Sequence, residues 1–163
     1  MSPKVRKARS GDVQQIALLI EEYAAQGTML AKPPASIELA IEDFVVVVDA
    51  YDRVLACGAL KEYSPSLGEV ASVAVARRAH GRGLGRMIVS AVETIARQRE
   101  IAELFALTLT QGFFEAVGYG VTDRGRYPEK LRRDCIGCAR RFACSEVCVW
   151  RPVEALQQRL VAA

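Results

Sequence analysis

The sequence predicts an α+β fold, a mixed central sheet of about seven strands interleaved with helices, on three observations. Apolar residues recur at helical and then extended spacing all along the chain, so helices and strands alternate. Residues 44–48 and 54–63 are apolar runs on either side of a polar turn and read as a hairpin, which excludes a purely parallel sheet. The 163 residues are 51% hydrophobic and 25% charged, ordinary globular composition with enough apolar surface for one continuous core.

Residues 5–8 predict a short first strand. Ser10-Gly11-Asp12 supplies an N-cap, and Val13, Ile16, Ala17, Ile20 and Tyr23 follow on one helical face until Gln26-Gly27. After Pro33-Pro34, residues 36–43 predict a short second helix with Ile37, Ala40 and Ile41 inward. The β-branched run from Phe44 to Val48 suits a buried strand, residues 49–53 a turn, and 54–63 the return strand. Residues 64–68 read as a loop and 70–75 as a strand. Leu84, Met87, Ile88, Ala91, Val92 and Ile95 mark one face of a helix ending near Arg99. A strand at 104–108, a short helix at 112–117 and a strand at 119–122 follow. A less regular tail leads to a last strand at 147–150 and a terminal helix at 153–160. No repeat or linker interrupts this order, so 1–163 reads as a single domain with a Cys-rich segment at 135–148.

No apolar run approaches the ~20 residues that span a bilayer, and no signal-peptide core follows the basic start, so a cytoplasmic protein without membrane partners is expected. Net charge is only +3, but its distribution is uneven. Arg77, Arg78, Arg82 and Arg86 form one basic stretch without an acid. Arg124, Arg126, Lys130, Arg132, Arg133, Arg140 and Arg141 form a second, against Glu129 and Asp134 alone. Local patches on a near-neutral chain suit a small anionic ligand, with solvated faces as the plain alternative. Interleaved aromatics and a reading helix are lacking, which argues against nucleic acid.

The strand at 70–75 runs into a loop with glycines at 81, 83 and 85 and then into the amphipathic helix. Glycine lets backbone approach a ligand closely, and the helix start offers unpaired N–H groups and the positive dipole end, which together bind phosphates. A tight strand-to-helix turn is the plain alternative. A dinucleotide fingerprint would follow the first strand of a βαβ unit, with an acid ending the next strand; this loop follows the fourth strand, and 104–108 ends without an acid. A Walker loop requires Gly-Lys-Ser/Thr, which is absent. A pyrophosphate cradle for coenzyme A is the remaining reading.

These residues resemble the GNAT superfamily of N-acetyltransferases, whose signature Arg/Gln-x-x-Gly-x-Gly/Ala joins the fourth strand to the third helix. In that register His80 stands where Arg or Gln is usual, followed by Gly81, Arg82, Gly83, Leu84 and Gly85. Phe113, Phe114 and Gly118-Tyr119 resemble the family's aromatic short helix and the Gly-Phe/Tyr after it. The resemblance implies the α/β/α GNAT fold with helices on both sheet faces, and acetyl-CoA as co-substrate. It would be bound by His80, Gly81, Arg82, Gly83, Leu84, Gly85 and Arg86, and along the backbone of Val73, Ala74 and Val75. Glu69 falls where several subfamilies carry the general base, and partial burial beside apolar neighbours would raise its pKa; a solvated acid at a strand start is the alternative. Phe114 occupies the position of the tyrosine that protonates the leaving thiolate in many members, and Tyr119 reads as core. A homodimer is a further implication, although no residue pattern marks an interface.

A narrower resemblance concerns the acceptor. Cys57-Gly58-Ala59-Leu60, the segment 67–75 and Leu104 to Thr108 are similar to the acetyltransferase domain of bacterial N-acetylglutamate synthases. Residues 128–138 with Cys144 resemble the tail of short, stand-alone members of that set. L-glutamate, acetylated at its α-amino group for arginine synthesis, is the implied substrate. A dicarboxylate wants cationic partners, and Lys32, Lys130 and Arg133 are the candidates, with Ser72 at a position near substrate in the long synthases. Thr110 stands where those long forms have Arg, and nothing corresponds to their arginine-binding kinase-like domain. The alternatives are another amine (an amino acid, polyamine, protein or drug) and a non-catalytic CoA- or metal-binding sensor.

Five cysteines remain. In a reducing compartment Cys135, Cys138, Cys144 and Cys148 are candidate ligands for a structural zinc or an iron–sulfur group, since Cys-x-x-Cys is a common half-site. Cys148 alternates with Val147 and Val149 and also reads as core, as does Cys57.

Overall fold

Two heavy atoms on Cβ suit the pleat of a sheet, and the run Phe44–Val48 (β2) is buried at every residue. It pairs antiparallel with β1 (Lys4–Lys7) and with β3 (Val54–Ser64), as the hairpin pattern predicts. A computed structural model of the chain describes residues 2–138 and 144–154. Its other strands are β4 (Leu67–Val75), β5 (Glu103–Thr108), β6 (Gly120–Thr122) and β7 (Val147–Pro152). The seven make one mixed sheet in the order β1-β2-β3-β4-β5-β7-β6. β4 and β5 run parallel, with Leu67, Gly68 and Glu69 opposite Glu103, Leu104 and Phe105; β7 is antiparallel to β5 and β6. The helices are α1 (Val13–Ala24), α2 (Pro34–Leu39), α3 (Leu84–Gln98), α4 (Gln111–Ala116) and α5 (Pro128–Lys130), the last widening into a π turn over Leu131–Cys135. Among the described residues no helix is long and apolar enough to cross a membrane.

The chain divides into two compact units. The first comprises Met1–Lys61 and Val70–Ile95. Its core holds Ile16 and Ile20 of α1, Ile37 of α2, the β2 valines, and Leu84, Ile88 and Val92 of α3. Each such side chain contributes roughly 1.5–3 kcal/mol on burial. Gly58 of β3 is required by this packing, because a Cβ there would lie 2.3 Å from the Ile88 methyl Cγ2. The second unit comprises Glu62–Glu69 and the chain from Ala96 onward. Its centre is aromatic: the Phe105 ring stacks on Tyr127 at 4.3 Å and meets Tyr63 at 5.6 Å, beside Leu67 and Cys148.

Several details differ from expectation. α2 starts at Pro34, whose fixed φ suits a first helical turn, and ends at Leu39; a separate tight turn, Ile41–Asp43, follows. Only Ile37 of the three expected inward residues is buried. Leu67 and Gly68, read as loop, are strand because the parallel ladder with β5 satisfies their backbone. The tail carries α5 and the π turn, announced by Pro128 at a helix start. β7, last in sequence, lies between β5 and β6. Asp12 turns its carboxylate to Arg6 and to the Arg9 N–H, so it closes the preceding turn, Ser10–Asp12, and does not cap α1. The terminal helix expected at 153–160 lies, beyond Glu154, outside the described residues.

Candidate active site

The loop after β4 is built by backbone conformation. Gly81 and Gly83 have φ of 76° and 75°, a left-handed region that costs other residues ~1–2 kcal/mol each. No atom lies within 4 Å of a Cβ placed on either, so conformation and open approach, not packing, demand glycine there. The turn delivers Leu84, buried at 2% exposure, as the anchor of α3, and Met87 N–H closes the first helical bond on the Gly83 carbonyl at 3.2 Å. The N–H groups of Leu84, Gly85 and Arg86 therefore have no acceptor within the helix. Arg82 and Arg86 are exposed beside them. This set of donors and cations fits a pyrophosphate.

His80 does something else. Its Nε2 lies 3.0 Å from the Val75 carbonyl and 2.8 Å from Tyr23 Oη, while the Tyr23 hydroxyl donates to the same carbonyl. A carbonyl only accepts, so Nε2 carries the ring proton. His80 and Tyr23 together hold the end of β4. Ser72, earlier on that strand, has φ 55° and offers its carbonyl to the Cys57 thiol at 3.4 Å. Cys57 is fully buried, which pushes its pKa up to about 12, in keeping with a packing role. Lys32 stands over the Phe44 ring at 5.9 Å.

Glu69 belongs to a different construction in the second unit. It closes the parallel ladder opposite Phe105 and is 6% exposed, so the solvated-acid alternative is set aside. Lys130 Nζ reaches Glu69 Oε2 at 3.1 Å and Asp134 Oδ2 at 3.0 Å. Tyr63 Oη lies 3.2 Å from Glu69 Oε1 and also donates to Asp134 Oδ2. Burial opposes the Lys130 charge, but the Glu69 and Asp134 carboxylates outweigh it and raise its pKa. Burial, and then the charge of Glu69, lift the Tyr63 phenol far above its ordinary range. Arg133 lies over the Tyr63 ring at 5.1 Å and donates to the Glu62 carbonyl at 2.9 Å. Of the predicted residues, then, Glu69, Lys130 and Arg133 come together. Tyr63 and Asp134 were missed; the i,i+4 spacing of Lys130 and Asp134 was the available signal for the latter.

Phe114 and Tyr119 are both buried and meet edge to face at 5.3 Å, as core residues do. Arg124 donates to the Glu146 carbonyl and to Cys144 Sγ, the latter at 3.4 Å. Cys148 is buried in β7 and its pKa is pushed up to about 11 by desolvation. Among the described residues no group of three or more His, Cys, Asp or Glu side chains is placed to hold a metal, so the ligand set Cys135, Cys138, Cys144 and Cys148 gains no support.

Residues 16–119 match the model of the acetyltransferase (GNAT) family. An uncharacterized N-acetyltransferase of Chlorobaculum tepidum is 36% identical over 143 residues, 88% of this chain and 92% of that one. The amino-acid acetyltransferase of Mycobacterium tuberculosis is 35% identical over 119 residues, 72% of this chain and 68% of that one. Among solved structures, N-acetylglutamate synthase from Neisseria gonorrhoeae, complexed with coenzyme A and N-acetyl-glutamate, superposes with a TM-score of 0.84 at 28% identity. It covers 94% of this chain, which spans only 36% of the synthase.

Proposed function

The chain belongs to the acetyltransferase (GNAT) family and is an acetyl-CoA-dependent N-acetyltransferase, and we propose that its acceptor is the α-amino group of an amino acid, L-glutamate first. The observation that carries the acceptor is Arg133, whose guanidinium lies over the ring of Tyr63, the residue whose hydroxyl contacts the buried carboxylate of Glu69. The names of the relatives, amino-acid acetyltransferase and N-acetylglutamate synthase, support the same class, and with glutamate as acceptor this reading puts the reaction at the entry to arginine synthesis.

In this reading acetyl-CoA supplies an activated thioester. Backbone donors from Gly81 to Arg86, with the Arg82 and Arg86 side chains and His80 bracing the loop, hold its pyrophosphate. The Val73–Val75 backbone, fixed at its end by Tyr23 and His80, holds the pantetheine arm and stabilises charge developing on the thioester oxygen. Glu69 takes the proton from the acceptor amine, directly or through water, so that nitrogen can attack. Lys130 serves two carboxylates already; Arg133 uses one of its five donors on Glu62, so in this reading Arg133 is the cation of this cluster that holds a glutamate carboxylate, while Lys32 and Ser72 are substrate candidates by resemblance alone. Phe114 offers no proton to the thiolate, so solvent supplies it.

Thiol release from acetyl-CoA with L-glutamate, L-glutamine and a panel of small amines tests this, with Glu69→Ala and Lys32→Ala alongside. Turnover on glutamate that falls in both variants supports the synthase reading. Turnover on polyamines or peptides alone refutes the amino-acid acceptor; binding without any turnover leaves the sensor reading in its place.

A further inference from the structure

A base buried to 6% exposure faces a difficulty after each turnover, because the proton it has taken must leave before the next amine arrives. The contacts of Glu69 include the ammonium of Lys130 and the hydroxyl of Tyr63. Lys130 carries three protons and only donates, so it cannot accept one from Glu69. Tyr63 can do both. Its Oη lies 3.2 Å from Glu69 Oε1 and its proton is directed to Asp134 Oδ2, on the neighbouring π turn. Asp134 keeps 24% of its side-chain surface in solvent against 7% for Glu69.

We propose that Tyr63 and Asp134 form a proton exit from Glu69 to solvent. The inference rests on Glu69 being the base of the reading above. The proton taken from the amine sits on Glu69 Oε1. It passes to Tyr63 Oη as the phenol's own proton passes to Asp134 Oδ2, and Asp134 then releases a proton to water. One proton enters and one leaves, and Tyr63 ends as it began, neutral and rotated back to its resting bond. The two transfers are concerted, since a phenolate between two carboxylates is strongly disfavoured. Lys130, bonded to both acids, ties their carboxylates to one ammonium without moving a proton itself. Ring contacts with Phe105 and Arg133 keep the phenol in place. The groups facing Glu69 and Asp134 include Tyr63 from β3 and Lys130 from α5, and the charge of Glu69 is felt at Cys148 of β7 and that of Asp134 at Cys135.

The test uses the intact chain, acetyl-CoA and whichever amine it acetylates. Tyr63→Phe keeps the ring and removes the relay oxygen; Asp134→Asn keeps the shape and removes the terminal acceptor. Each is expected to lower kcat by about 10²-fold, the lower end of proton-transfer catalysis, with KM for both substrates changed less than about threefold. Imidazole or another small buffer base should restore part of kcat in Asp134→Asn. Rates of wild type in mixtures of H2O and D2O should curve with deuterium fraction, because two protons move together. Both variants turning over within about twofold of wild type overturns the exit, as does a linear deuterium dependence in wild type, which requires no variant to fold. Glu69→Gln separates the two readings: full activity there removes the base itself, whereas an inactive Glu69→Gln beside active Tyr63→Phe and Asp134→Asn removes only the exit. Absence of turnover by wild type on every amine overturns both.

Discussion

Asp12 and Glu69 are both acids removed from solvent, at 3% and 6% exposure, yet their surroundings differ in the balance of charge. Asp12 takes two bonds from the Arg6 guanidinium, at 2.7 and 3.0 Å, and one from the Arg9 N–H. Arg6 and Arg9 both also reach Asp52, so two cations serve two anions. Glu69 instead shares the Lys130 ammonium with Asp134. The first arrangement commits the carboxylate to a guanidinium and a backbone N–H; it ties β1 to the turn that starts α1. In the second, two carboxylates share an ammonium and a phenol, the kind of coupled cluster found at functional sites. Burial alone therefore says little about an acid's role; the kind of partner, a guanidinium held by the acid or an ammonium and a phenol shared with a second acid, says more.

That contrast can be broken most forcefully at Glu69. Glu69→Gln should lower kcat/KM for acetylation by about 10²–10⁴-fold, read as thiol release, with the acetyl-CoA dissociation constant unchanged. Asp12→Asn should do the reverse. Loss of one partner of a buried pair costs about 3 kcal/mol, visible in the denaturant midpoint, while the folded fraction keeps kcat/KM within about twofold. An Asp12 variant that lost turnover but not stability would end the distinction.

The pH dependence of stability sharpens it. Burial alone would raise the Asp12 pKa, but Arg6 and Arg9 more than offset it and the folded value is lowered. Its contribution is then complete above the ordinary carboxylate value of about 3.9 and is lost as pH falls through the lower folded value. Lys130 is the mirror case: its raised pKa contributes stability below about 10.4, lost as pH rises through the folded value. Urea midpoints against pH should therefore show a shallower acid limb in Asp12→Asn and a shallower alkaline limb in Lys130→Met. The smallest effect is expected at His80. His80→Ala removes one hydrogen bond to the Val75 carbonyl and should weaken acetyl-CoA binding by only about 2–10-fold in calorimetry, since the phosphate donors are backbone.

The legibility of the cradle and of the Glu69 cluster follows their chemistry. The cradle was readable because its parts are contiguous: glycines at 81 and 83 and a helix beginning at Leu84 fall within a few residues. Glu69 was readable by its place before that loop and by resemblance. Asp134 was not, because it joins the cluster only after the segment near residue 130 has come back across some seventy residues to Tyr63, and no periodicity spans that distance; Tyr63, only six residues before Glu69, carried no signal because its phenol acquires its role from Asp134.

What the sequence by itself determined was local: the hairpin of β2 and β3, the left-handed loop, the face of α3, and the family. These depend on propensity, spacing and allowed dihedral angles, all set within a few residues. Only the tertiary structure decided that β7 lies between β5 and β6, that Asp12 answers Arg6 instead of capping α1, and that one lysine bridges two acids. Each of these is a pairing of charges or strand edges between groups whose local patterns are satisfied equally well by many partners, and only the folded chain selects one.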